Sequence, residues 1–472
     1  MKICDETVRA AAEAAVDSGL GGIQLDAAQK QAILAQCRPT VAVAPPRRAA
    51  RPLRRVLAVA AAFAVAFSIG GGVLAAAPEL RQSLSILGAE TLQQLQPINQ
   101  VSEDQGIRME VLAAVNDGQV AVVFLSLQDT AGQGRVEPTS QLYDSEISGA
   151  NFTRGEVVDY DAATGTTVLR LVADASESMA GKKITVSSKS ILSGEDRHAP
   201  TYSGYTVASL RAATGDAAIQ YPQNLAGSMV GGPEMDRFSR LLESGKMPAL
   251  KGWSEPVSLP GVDWAAVTAA GVVDGQVHVQ VAPNEGMGRV NRLYFSLETA
   301  AGEPVDCTQV NMELGERHEM GRFQSYNDLT EYVLIPPREI ADPGSLRIMV
   351  DRITYRSFVE GSWSTTFKLE EASDALRFEC NEDMQPWILT SVQVSPVAVT
   401  MTGTGEMRAE SQSAEVRVFL KNGAEVRASS VSTSTNGEDI VCHNVFDEVI
   451  DLAQVDRVLL NGRELPMERT AP

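Results

Sequence analysis

Two hydrophobic patterns divide this chain. From Val56 to Ala77 (VLAVAAAFAVAFSIGGGVLAAA) 22 residues run without a charge and are predominantly apolar. As a helix rising about 1.5 Å per residue they would reach roughly 33 Å, enough to cross a hydrocarbon core of about 30 Å. The pattern predicts one transmembrane helix over 56–77. Beyond Pro97 the apolar positions instead recur with a spacing near two, in short runs broken by turn residues, and this predicts antiparallel β domains. Ile107–Leu112 and Val120–Leu127 flank Asn116-Asp117-Gly118, and Asp-Gly between two apolar runs signals a hairpin.

The same phrase returns downstream. Val267–Val273, Asp274-Gly275 and Gln276–Val281 repeat strand, turn and strand, and each copy is followed by a related run, FLSLQDTAG (Phe124–Gly132) or YFSLETAAG (Tyr294–Gly302). A weaker third copy begins near Trp387, with Val392–Val399, then Glu415–Leu420 and the turn Asn422-Gly423. A similarity scale of about 100–160 residues implies duplicated domains, since solenoid periods are about 20–50. The expected units are β domains at 98–205, 255–378 and 384–468, with an irregular insert at 206–254 that contains one short helix. The fold class expected is mainly β: tandem Ig-like β-sandwich domains after one transmembrane helix, preceded by a short α-helical N-terminus.

Before the apolar run, residues 1–38 read as two short helices. Asp5 caps one through about Val16, ended by Gly19, Gly21 and Gly22, and Asp26 with Gln29 forms a capping box opening the other. Their large apolar residues are few, too few for an independent core of any size. Residues 39–55 are a Pro- and Arg-rich linker. After the span, residues 78–97 predict a juxtamembrane helix carrying Leu80, Leu84, Leu87, Leu92 and Leu95 on one side, stopped by Pro97.

Charge gives the expected orientation. Arg47, Arg48, Arg51, Arg54 and Arg55 crowd one flank of the span, and Pro78-Glu79 begins the other. By the positive-inside rule the first 55 residues stay cytoplasmic and the chain after Pro78 is extracellular, in a single-pass plasma-membrane protein. A cleaved signal peptide fits less well, because its apolar core usually spans about 7–15 residues. Residues 1–55 carry 9 Lys+Arg against 5 Asp+Glu, net +4, and residues 78–472 carry 31 against 55, net −24. So acidic an outer part excludes nucleic acid as its partner. Cys4 and Cys37 lie inside, and Cys307, Cys380 and Cys442 outside. That is no disulfide scaffold; with Cys380 at the edge of the middle domain, a Cys307–Cys380 bridge is an open pairing.

Chemistry is sparse. His198, His278, His318 and His443 are scattered, and none has a second ligand at metal spacing along the chain. His278 alternates with valines and faces one side of a strand. No Gly-x-Ser-x-Gly elbow, Walker loop or dinucleotide fingerprint is present. Asp159-Tyr-Asp161 with Gly165 lacks the closing Glu of a calcium loop and reads as a hairpin turn. Trp363 and Phe367 read as core packing. No enzyme, cofactor or metal is expected.

The stretches Glu103–Asp129, Val273–Val281, Gly361–Leu369 and Ile450–Pro466 resemble an uncharacterised ectodomain family of Gram-positive single-pass membrane proteins described as anti-sigma-factor-like. The resemblance covers most of residues 98–468 and implies a protein that sequesters an extracytoplasmic-function sigma factor through its cytoplasmic segment while its outside meets an envelope ligand. The chain departs from zinc-containing anti-sigma domains: its inner segment has no histidine, and Cys4 and Cys37 stand 33 positions apart. Val8, Val16, Ile33 and Leu34, on the sparse apolar faces of the two inner helices, are the expected sigma-factor contacts in a helix-in-groove mode. The competing class is a structural or adhesive cell-surface protein whose inner segment only anchors it.

Overall fold

The structure, a computed structural model, describes Leu84, Leu87 and residues 89–466, apart from 223–224, 226–227, 253–255, 285, 320–324, 371–372 and 407–413. The inner helices with Val8, Val16, Ile33 and Leu34, the linker 39–55 and the span Val56–Ala77 lie outside the described residues. Among the described residues no helix is long and apolar enough to cross a membrane. The described chain is mainly β. Of the helix expected at 78–97 the described part is α1 (Ala89–Gln93), and Leu84, Leu87, Leu92 and Leu95 share one apolar cluster.

The first pair of sheets starts with β1 (Gln96–Asp104), β2 (Ile107–Asn116) and β3 (Val120–Asp129). The β2–β3 turn forms because Asp117 Oδ1 accepts the amides of Gln119 and Val120 while Asn116 Oδ1 accepts that of Gly118, whose φ of 109° suits glycine. Next come β4 (Gln141–Leu142), β5 (Ser145–Ile147), β6 (Phe152–Asp161), β7 (Thr166–Asp174) and β8 (Lys183–Ser193). One antiparallel sheet has the order β1-β2-β3-β7-β6. The facing sheet centres on β8, which pairs with β4, β5 and, from far along the chain, β21 (Ser357–Lys368). Ala121, Val123, Leu125 and Leu127 of β3 enter the core between these sheets with Trp363 and Phe367 of β21.

Between β8 and β21 a second pair of sheets is inserted. Its elements are β9 (Asp196–Thr206), α2 (Val207–Thr214), β10 (Ile219–Gln220), β11 (Met229–Gly231), α3 (Met235–Glu243), β12 (Ala249–Leu250) and β13 (Val257–Ser258), then β14 (Ala265–Val273), β15 (Gln276–Pro283), β16 (Arg292–Glu298), β17 (Pro304–Val305), β18 (Thr308–Glu319), β19 (Ser325–Ile335) and β20 (Arg347–Thr354). The sheets run β11-β18-β19-β15-β14-β13 and β17-β16-β20-β9. Because β8 pairs with β21 and β9 with β20, the two crossings between the first and second cores are paired ribbons. The segment Ser357–Lys368, grouped with the middle domain on sequence, therefore completes the first core. The described residues of 206–254 are part of the middle domain: Val207 and Leu210 of α2, capped by Thr206 and Ser209, enter its core, while Phe238, Met247 and Ala249 cover Val310, Met312, Val333 and Ile335 on the outer face of its larger sheet.

The third pair comprises β22 (Leu376–Asp383), β23 (Trp387–Val394), β24 (Ala398–Gly405), β25 (Val416–Leu420), β26 (Ala428–Asn436), β27 (Asp439–Phe446), β28 (Val455–Leu460) and β29 (Arg463–Glu464), in sheets β22-β23-β24-β27-β26 and β25-β28-β29. A Cβ at Gly403 would meet Trp387 ring carbons at 2.7 Å, so the buried indole requires glycine there. Val397, Ala398, Val445 and Val449 pack against Val120, Val122 and Phe124 of β3. Burial on both faces explains why β3 is apolar at nearly every position. Cys307 lies in the middle core and Cys380 packs on the third; with Cys442 they are free thiols, so the Cys307–Cys380 bridge does not form.

Candidate functional site

The described residues line a half-open cavity of about 230 Å³ in the middle domain, between the inner face of its six-stranded sheet and the end of β16. Its apolar walls include Trp264, Val281 and Leu293, with Tyr294 and Tyr332 adding aromatic surface; Arg289, Asn291, Arg292, Asn311, Glu313, Asn327 and Thr330 supply polar groups. Asn311 and Glu313 alternate along β18 with Val310, Met312 and Leu314, which bury against the opposite side of the sheet. The cavity is thus where the core-facing side of the sheet turns polar. It is smaller than the roughly 300–1,000 Å³ of sites for drug-sized ligands, which suits a small ligand or one ring of a larger one.

The rim is tightly fixed. Asn284 donates its amide to Trp264 O and its side chain to Asp263 O, both at 2.7 Å. Gly288 lets the following turn pass over Trp264, whose carbonyl would stand 2.7 Å from a Cβ there. Arg292 Nη1 caps the carbonyls of Arg289, Val290 and Asn291, and Nη2 donates to the Tyr143 hydroxyl of the first domain. Asn291 Oδ1 accepts the amide of Tyr355 at 3.0 Å. On the floor the Tyr332 ring lies 5.0 Å from that of Phe295, and burial pushes its hydroxyl up to about 12, so it stays a neutral donor and acceptor. Asn327 Oδ1 is buried without a hydrogen-bond partner among the described residues, an acceptor at the cavity wall.

Each of the four histidines faces a carboxylate. His198 Nε2 is 3.5 Å from Asp196, and His443 Nδ1 is 3.0 Å from Asp174. His318 Nε2 pairs with Asp328 at 2.8 Å, and with Glu316 these groups bring three donor atoms within 4.8 Å of one another. Chain spacing concealed this cluster because Asp328 comes from the neighbouring strand. A mixed carboxylate–imidazole set of this kind can take a divalent cation, and partly exposed it serves equally as an ion pair. His278 is fully buried on the outer face of the six-stranded sheet, with Nδ1 at 2.7 Å from Glu331 Oε1.

That last pair belongs to a dry network. Gln280 Nε2 donates to Glu331 Oε2 at 3.0 Å and to Leu250 O at 2.8 Å, Leu250 N donates to both Glu331 oxygens, and Thr268 Oγ1 donates to Gln280 Oε1 at 2.9 Å. The expected partner residues Val8, Val16, Ile33 and Leu34 lie outside the described residues.

The sequence matches no protein-family model and no curated protein. Among solved structures the chain is similar to the crystal structure of the conserved domain protein from Bacillus anthracis, at 9% identity and a TM-score of 0.31, over 78% of this chain and 76% of that one. A likeness at that level carries no argument about function.

Proposed function

We propose that this is a single-pass membrane regulator of the anti-sigma-factor-like kind, with Ig-like domains outside that bind a small polar component of the cell envelope. The observation that carries the reading is the middle-domain cavity, where Trp264, Tyr294 and Tyr332 surround amide and guanidinium groups and the Asn327 carbonyl, which has no partner among the described residues. Aromatic faces combined with planar hydrogen-bonding side chains suit a sugar ring or a similar polyhydroxyl ligand. The uncharged run Val56–Ala77 with its arginine flank would anchor the protein, N-terminus inside. Val8, Val16, Ile33 and Leu34 would then hold a sigma factor, released when the outer site is occupied.

The test uses full-length protein in its membrane. Soluble envelope saccharide fragments should bind the wild type and bind Trp264→Ala and Asn327→Ala variants at least tenfold more weakly. Ile33→Asp with Leu34→Asp should abolish co-purification of the sigma factor without changing saccharide binding. Saccharide binding with no sigma factor recovered from unstressed cells would favour the adhesive reading, and no binding of either would defeat the proposal.

A further inference from the structure

We propose that Thr268 and Gln280 form an intramolecular ester that cross-links β14 to β15. The two are neighbours on adjacent strands, and the register slip between Val267 and Ala269 turns Thr268 onto the same outer face as Gln280. Thr268 Oγ1 already touches the carboxamide, 2.9 Å from Oε1. Thr268 is 9% exposed, and Gln280, Glu331 and His278 are fully buried, so water is excluded from the reacting groups. A Cβ at Gly252 would stand 3.0 Å from Oε1, so backbone closes over the carbonyl from the solvent side.

The reaction needs no external reagent. Thr268 Oγ adds to Gln280 Cδ, forming a C–O bond; the Cδ–Nε2 bond then breaks, and nitrogen leaves as ammonia. As Oγ adds, its proton passes to Gln280 Oε1, to which the hydroxyl already donates at 2.9 Å, and Glu331 Oε2, 3.0 Å from Nε2, relays it from there to the departing nitrogen. Loss of ammonia to bulk solvent draws the reaction forward. Holding hydroxyl and carboxamide in contact within a rigid sheet supplies the effective concentration that makes attack by an ordinary threonine feasible. Glu331 is the catalytic residue. His278, at 2.7 Å from Oε1, and the Leu250 amide position it.

The experiment is mass spectrometry of full-length protein. Cleavage after Lys251 and Arg289 leaves both residues in one peptide, 252–289. That peptide should be lighter than its sequence by one ammonia, should yield no separated backbone fragments between positions 268 and 280, and should give a hydroxamate at position 280 with hydroxylamine. Thr268→Ser should retain the ammonia loss, whereas Thr268→Val and Glu331→Gln should abolish it. His278→Asn should lower the cross-linked fraction in freshly made protein while the circular dichroism spectrum stays unchanged. A wild-type peptide at its full sequence mass would overturn the proposal, even if the variants fail to fold, and so would an ammonia loss that persists in Thr268→Val.

Discussion

His443 Nδ1 lies 3.0 Å from Asp174 Oδ2 across the contact between the first and third domains, and the Ser432 hydroxyl donates to the same oxygen. Nearby, Ser395 donates to Asp117 Oδ2 at 2.8 Å and Arg170 joins Glu156 to the Phe446 carbonyl. These polar contacts rim the apolar patch formed by Val122, Phe124, Val397 and Val445. Apolar area gives this contact its strength and the polar rim fixes its register.

Its response to acid follows from Asp174. Burial pushes that carboxyl up, but the hydrogen bonds from His443 and Ser432 and the imidazole's charge outweigh it and hold the group below its ordinary 3.8. The stabilisation is therefore present above that value and lost as pH falls through the lower folded value. Asp117 works in the opposite sense: burial raises it, so its burden on the fold is relieved by acid. Asp174→Asn should cost about 1–3 kcal/mol at pH 7 and flatten the decline of stability below pH 3.8, as denaturant unfolding at stepped pH would show.

Asp129 gives a second acid signature. Its carboxylate accepts the amides of Ala131, Gln133 and Arg135 and pairs with the Arg135 guanidinium at 2.9 Å. Against the opposing effect of burial, these contacts lower its pKa from 3.8 to about 2. Stability from this loop should be complete above pH 3.8 and lost on the way to pH 2. Asp129→Asn should remove that slope in unfolding titrations and leave the slope above pH 5 unchanged.

The hairpins were legible in the sequence because Asp-Gly turns write their own conformation locally, as at Asp117-Gly118. Trp363 and Phe367 were legible as core residues but not as residues of the first core. Their partner strand β8 begins at Lys183, and no local signal encodes a pairing across an inserted domain. The cavity was missed although a signal existed: Asn311 and Glu313 on β18, and Thr330 and Tyr332 on β19, occupy the parity that elsewhere points into the core. Glu331 was hidden for the converse reason, since its partners His278, Gln280 and Leu250 come from two other segments.

Thiol chemistry should report the separate cores. Burial, with the nearby Asp306 charge, pushes the Cys307 thiol up to about 12, and burial also raises Cys380 and Cys442. Under denaturing, non-reducing conditions Cys307, Cys380 and Cys442 should all alkylate. In native protein at pH 8, Cys380, the only one of the three that is not buried, should react first and Cys307 slowest. Recovery of a Cys307–Cys380 disulfide peptide would contradict the assignment of these residues to different cores.

The insertion of the middle domain into the first makes the sharpest structural prediction. Trp363 is fully buried among Ile107, Met109, Leu125 and Ile184, and its Nε1 donates to Ile107 O at 2.8 Å. Trp363→Ala should therefore remove about 3–5 kcal/mol from the first domain, and Trp363→Phe should cost less, forfeiting mainly the hydrogen bond that satisfies a buried carbonyl. If β21 closed the middle domain, the damage would appear there instead. Hydrogen exchange separates the two outcomes in the full-length chain. In Trp363→Ala, amides of β2, β3 and β8 should lose protection while those of β14, β15 and β19 keep it, because β9 and β20 still pair at the base of the inserted domain. Loss of protection confined to β14 and β15 would refute the insertion.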